Sequence, residues 1–194
     1  MFHIFGQYLK RAIKNTRWKS MRMRENENHS QPKKRDGSLK EKSTLYSRLK
    51  AENEIISDEG VVHAIYEDHL GHPTFGIGHL ITPKDPEYGL PINTPVSEER
   101  VLQVFRSDMD QVERDCIGLY GFVPFNSFPD EVQCILLNMM FNLGYTKLSK
   151  FVKMNAAIDR TDWKEAAKEG RDSRWYRQVT NRAERLMSRL EKVS

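Results

Sequence analysis

Apolar residues recur at three- and four-residue spacing over most of the second half of the chain. Val101, Leu102, Phe105, Met109, Val112 and Cys116 fall on one stripe, the face that a helix buries. Ser97 precedes them as an N-cap, with Glu98 and Glu99 in the first turn where the helix dipole favours acids. The pattern predicts a helix of about five turns, long enough to join two lobes. PDEVQCILLNMMFNLG, KLSKFVKMNAAI, DWKEAAKEG and NRAERLMSRLEKV carry further helical patterns, and the first is apolar enough to be the central buried helix. Upstream, a capped helix from Ser43 or Thr44 points Leu45, Leu49, Ile55 and Ile56 inward and stops at Gly60.

Between these helices the period changes. VVHAIYEDHLGHPTFGIGHLIT is rich in β-branched and aromatic residues and is broken at Gly71, His72 and Pro73, which predicts a hairpin and a third short strand. The proline-rich loop PKDPEYGLPINTPV, residues 83–96, leads on to the long helix. The expected fold class is α+β: a small antiparallel β lobe and a larger helical lobe joined by a long helix.

The first 20 residues place Phe2, Phe5, Leu9 and Ile13 on one helical face with Lys10, Arg11, Lys14 and Arg17 on the others. Such a basic amphipathic helix could lie on an anionic membrane, dock on a partner or pack on its own domain. Residues 21–43 have almost nothing apolar and read as a charged linker, so the expected division is 1–43 for helix and linker and 44–194 for the catalytic domain. Charge follows that division: residues 1–50 hold 14 Lys/Arg against 4 Asp/Glu, and residues 51–194 hold 17 against 23. The basic excess belongs to the tail, which is a candidate for contact with an anionic membrane or wall polymer. The remainder, being mildly acidic, has no basic stripe for nucleic acid. Cys116 and Cys134 each sit inside an apolar helical pattern and read as buried free thiols. No run is long and apolar enough for a membrane span, and the first residues lack the pattern of a signal peptide.

Two acidic positions are candidates for chemistry. Glu59, in SDEG, ends the first helix, where the negative end of the dipole and apolar neighbours would disfavour its ionised form. Asp68, beside the Gly-Pro turn, lies where a hairpin folding back could bring it across a groove from Glu59. Cleaving a glycosidic bond requires such a pair, one acid for the leaving oxygen and one carboxylate facing the sugar. Taken singly, both are ordinary punctuation of helix ends and turns.

Read together, Asp58 to Leu80 (DEG, then Tyr66, Asp68 and TFGIGHL) resembles the catalytic segment of the phage-type lysozymes, the T-even phage family of muramidases. FRSDMD at 105–110, NMMFNLG at 138–144 and SRWYRQVTNRAER at 173–185 continue the resemblance in the same order. It implies that Glu59 is the general acid, Asp68 the base that activates water and Thr74 the hydroxyl that holds that water. It also implies pairing of Arg182 with the catalytic glutamate, a structural ion pair between His79 and Asp108, and saccharide contacts at Leu80, Phe141 and Asn142, with Trp175 near the groove. The substrate would be peptidoglycan, hydrolysed without metal or cofactor by a monomer acting at the cell wall or periplasm, made in a host cytoplasm or carried on a virion. Departures from the family are the loop 83–96 in place of a helix, Leu70 in place of a glutamate, Asn142 in place of a glutamine and Val179-Thr180 in place of a Thr-Pro pair. Gly76 and Gly78 lack the third glycine and strand-to-helix context of a dinucleotide loop and instead suggest close backbone approach at the cleft.

The rival reading is a non-catalytic peptidoglycan-binding or virion structural protein that keeps the fold. Glu59, Asp68 and Thr74 argue against it, since binding alone needs none of them. A zinc amidase would draw on His63, His69 and His72, with no cysteine nearby.

Overall fold

The computed structural model describes residues 39–194, with side chains from Leu45 onward. The amphipathic helix expected over residues 1–20 and most of the linker after it lie outside the described residues.

Helix α1 runs Leu39–Glu59, followed by strands β1 (Val62–Glu67), β2 (Pro73–Gly76) and β3 (His79–Leu80). Then come α2 (Glu98–Tyr120), α3 (Phe122–Ser127), α4 (Asp130–Leu143), α5 (Tyr145–Leu148), α6 (Val152–Asp159), α7 (Trp163–Arg171), α8 (Arg174–Gln178) and α9 (Thr180–Leu190). The chain divides into two units, one holding Glu59–Val101 and the other Leu39–Asp58 with Leu102–Ser194. Helix α2 contributes to both, its first turn to the former and the rest to the latter. A small antiparallel sheet and a set of helices make this the α+β, lysozyme-like fold expected from the sequence.

In the sheet unit the strand order is β1-β2-β3, antiparallel throughout. Tyr66 pairs with Thr74 and Thr74 with Leu80, so these three side chains share one face of the sheet. The far edge of β1 is covered by residues 93–96: Ile65 N–H donates to Thr94 O at 3.0 Å, and Asn93 and Val96 N–H donate back to β1 carbonyls. Residues 81–97 form turns and one isolated bridge, Ala64 to Pro95, where the family resemblance calls for a helix. Gly76 (φ 66°) turns the chain into β3, and a Cβ there would stand 3.1 Å from Val101 Cγ1. The close approach expected of this glycine is therefore to the first turn of α2, not to a cleft.

In the helical unit α4 is the core, with every residue from Val132 to Met140 buried, as its unbroken apolar run predicts. Along α2, Val101, Leu102, Phe105, Met109, Val112 and Cys116 are all buried. Ser97 caps the helix, its Oγ accepting from Arg100 N–H at 3.2 Å. Both cysteines are free and buried, and burial pushes the Cys134 thiol up to about 12. Helix α1 departs from expectation in two ways. It starts at Leu39 instead of Ser43 or Thr44, because Leu-Lys-Glu-Lys are good helix formers. Its inward stripe is Ser47, Ala51 and Ile55, while Leu45 is 56% exposed. Ser47 and Ala51 are fully buried despite being small, and a search for large apolar residues overlooks them.

Candidate active site

Glu59 is the last residue of α1, and Gly60 (φ 75°) redirects the chain into β1. The side chain of Glu59 is exposed, where the sequence suggested apolar neighbours. Across β1, Tyr66 feels both acids: burial raises its phenol first, and the charges of Glu59 and Asp68 raise it further. Tyr66 shares its sheet face with Thr74 and Leu80.

Asp68 ends β1 and closes a five-residue turn on itself. Its N–H donates to His72 O at 2.9 Å, and its carbonyl accepts from Gly71 N–H at 3.1 Å. Gly71 permits this by taking φ 83°. The turn aims two backbone N–H groups at the carboxylate, Leu70 at 2.8 Å and His72 at 2.9 Å, both onto Oδ1. The His72 N–H, followed by the Leu70 N–H and the His72 ring, outweighs partial burial and holds the Asp68 carboxyl below its ordinary value. Asp68 is thus held toward its ionised form, with Oδ1 taken by two backbone N–H groups and Oδ2 3.4 Å from His72 Nδ1. Thr74 is 4% exposed, and its hydroxyl donates to His72 O at 3.1 Å. With its proton committed there, Oγ1 is left to accept.

A second cluster lies on the same unit. Asp85 Oδ2 accepts from Thr82 N–H and Oγ1 at 2.9 and 2.8 Å, and its Oδ1 lies 3.3 Å from His79 Nε2 and 3.4 Å from Arg100 Nη2. Arg100 also binds both oxygens of Glu87, at 2.8 and 2.9 Å, and its guanidinium lies over the Phe75 ring. For Asp85, burial raises the carboxyl, but the Thr82 hydrogen bonds and His79 bring it below its ordinary value. His79 thus has a carboxylate neighbour that sequence reasoning missed. The cluster pins the loop that replaces the family's helix.

The remaining expected positions lie in the helical unit. Arg182 Nε donates to Asn138 Oδ1 at 2.8 Å and lies 3.2 Å from Asp58 Oδ2, both side chains of this ion pair being nearly buried. Arg185 binds the same aspartate bidentately, at 2.8 and 2.7 Å. Burial raises the Asp58 carboxyl, but Arg185 and Arg182 more than offset this and leave it lowered. Trp175 is buried and donates its Nε1–H to Asn142 Oδ1 at 2.8 Å. It is therefore a core aromatic, and Asn142 has a structural task. Phe141 packs edge-on against Phe105 at 5.9 Å. Leu80 is 49% exposed. Asp108 stands on α2.

Comparison with known proteins places the chain in a clear context. The family model described as phage lysozyme matches residues 56–192. The pre-baseplate central spike protein Gp5 of Enterobacteria phage T4 is 32% identical over 145 residues, 66% of this chain and 25% of that protein. Two proteins of Dictyostelium discoideum, probable T4-type lysozymes 2 and 1, are 28% and 26% identical over 151 residues, 69% of this chain and 89% of each relative. The matched part of the chain therefore spans a quarter of the spike protein and nearly all of the two lysozymes.

Proposed function

We propose, from the fact that the chain belongs to the phage lysozyme family and from the way its carboxylates are held, that it hydrolyses the β-1,4 bond between N-acetylmuramic acid and N-acetylglucosamine in peptidoglycan. The observation that carries the reading is Asp68: a carboxylate held toward its ionised form by two backbone N–H groups on Oδ1, with Oδ2, which has no backbone donor, as the oxygen that accepts a proton from water. In this reading Glu59 protonates the leaving oxygen. A water donates one proton toward Asp68 Oδ2 and the other toward Thr74 Oγ1, which has given its own proton to His72 O, and its lone pair then faces the anomeric carbon. The product is inverted, since Asp68 takes a proton and does not attack the sugar. By the resemblance, Leu80, Phe141 and Asn142 are assigned to saccharide contacts. No helix among the described residues is long and apolar enough to cross a membrane.

The test is mass analysis of fragments released from purified peptidoglycan. Glu59→Gln and Asp68→Asn should each lower release by a factor on the order of 10² to 10⁴, the range of general acid–base catalysis. The second reading, a virion structural protein, is favoured by similarity to a spike protein. It requires that the wild-type chain release no fragments.

A further inference from the structure

The two oxygens of Asp68 stand in unequal surroundings. Oδ1 is filled by the Leu70 and His72 N–H groups, while Oδ2 faces Nδ1 of the His72 ring at 3.4 Å. The closed turn dictates this, because the backbone bond between residues 68 and 72 sets the two side chains side by side. The His72 side chain is 55% exposed, so the pairing adds little to stability and the ring is free to leave.

We infer that His72 is a positioning residue for the reaction: its protonated ring docks on Oδ2 of Asp68, the oxygen that must take the proton of the attacking water, and releases that oxygen when the ring loses its proton. This rests on the assignment of Asp68 as the base. Among the described residues, the Tyr66 phenol on β1 is raised by the charges of both Asp68 and Glu59. Glu67 and His69 flank Asp68 along the chain, both exposed. The His72 ring, when charged, favours the ionised form of Asp68. In acid, the docked ring keeps Asp68 ionised but engaged; once the ring is neutral, Asp68 is a stronger base with an open oxygen. The rate should therefore carry a step that belongs to the His72 ring, distinct from the carboxyl limb.

The experiment follows the ¹³C carboxyl signal of Asp68 and kcat on soluble glycan fragments across pH, in the full chain and in its His72→Ala and His72→Gln variants. Because the turn is closed by backbone atoms, both variants should fold. In His72→Ala the Asp68 carboxyl should titrate higher, by a few tenths to about one pH unit, since a facing cation is lost. The acid limb of kcat should move with it, and the step should vanish with KM unchanged. His72→Gln, which keeps an N–H donor without a titrating ring, should lose the step but retain part of the lowered carboxyl titration. Superimposable carboxyl curves in wild type and His72→Ala, or a step that survives the substitution, would overturn the inference. Asp68→Asn separates the two claims: wild-type turnover in that variant refutes Asp68 as base, whereas the carboxyl titration reports the docking of His72 independently.

Discussion

Replacing Asp58 with alanine should destabilise the fold by about 3 kcal/mol, although Asp58 is assigned no chemistry. Its carboxylate holds the end of α1 to α9 through a bidentate bond to Arg185 and an ion pair to Arg182, and accepts from Asn138 Nδ2 at 3.3 Å. Arg185 is 41% exposed, so its share is that of a surface pair, up to about 1 kcal/mol. Arg182 is only 9% exposed. Deleting one partner of a buried pair costs about 3–5 kcal/mol, and Arg182 still keeps Asn138 at 2.8 Å, which sets this share near the lower bound or beneath it. The melting temperature should fall by roughly 6–12 °C for a chain of this size. Because the folded carboxyl is lowered from 3.8, the advantage of wild type is fully present above that value and is lost as pH falls through the lower folded value. Urea unfolding of both proteins between pH 7 and pH 2 reads this directly. A variant within about 0.5 kcal/mol of wild type, or a gap that stays constant into acid, would refute the reasoning.

A Cβ on Gly170 of α7 would stand 2.2 Å from Met187 Sδ on α9 and 3.4 Å from Met154 Sδ on α6. Gly170→Ala should therefore destabilise by about 1–3 kcal/mol despite the helix propensity of alanine, and a double-mutant cycle with Met187→Ala should show coupling between the two sites. NMR of the first sugar released should show the α anomer from the β-linked strand; a β product would make Asp68 a nucleophile and leave Thr74 idle. A chain starting at Leu39 should turn over soluble glycan at the full rate. On whole cells it should be slower than the full chain at low salt, with the gap closing as salt rises, because the basic excess lies in the first 50 residues; a gap insensitive to salt would remove the electrostatic role of the tail.

What the sequence made legible was what depends on local period or local turn chemistry. The stripe along α2, the apolar run of α4, the Ser97 cap and the hairpin broken at Gly71 all follow from neighbours within a few residues. Glu59, Asp68 and Thr74 became readable as a set only through the resemblance, because each alone is common at a helix end, a turn or a strand. The inward face of α1 was read only in part: Ile55 is buried as expected, Leu45 is exposed, and Ser47 and Ala51, buried but small, leave no hydrophobic signature. The partnership of Asp85 with His79 and Arg100 was hidden, because it depends on how a loop with four prolines folds back. Asp58, printed next to Glu59 in the same tetrapeptide, gave no hint that arginines 124 and 127 residues further on would hold it.

The hold on Oδ1 of Asp68 consists of main-chain atoms, and so it is indifferent to the side chain at position 70. Leu70 stands where the resemblance implies a glutamate, yet what reaches Asp68 from that position is an N–H at 2.8 Å, which every residue but proline supplies. Drift at position 70 can therefore be wide without disturbing the carboxylate, while proline there, or a side chain at Gly71 where φ is 83°, is closed off. Across a deep mutational scan the turn should show a tolerant side chain at 70 between an irreplaceable acid at 68 and a restricted glycine at 71. Position 70 can thus vary widely while the carboxylate at 68 stays held as it is.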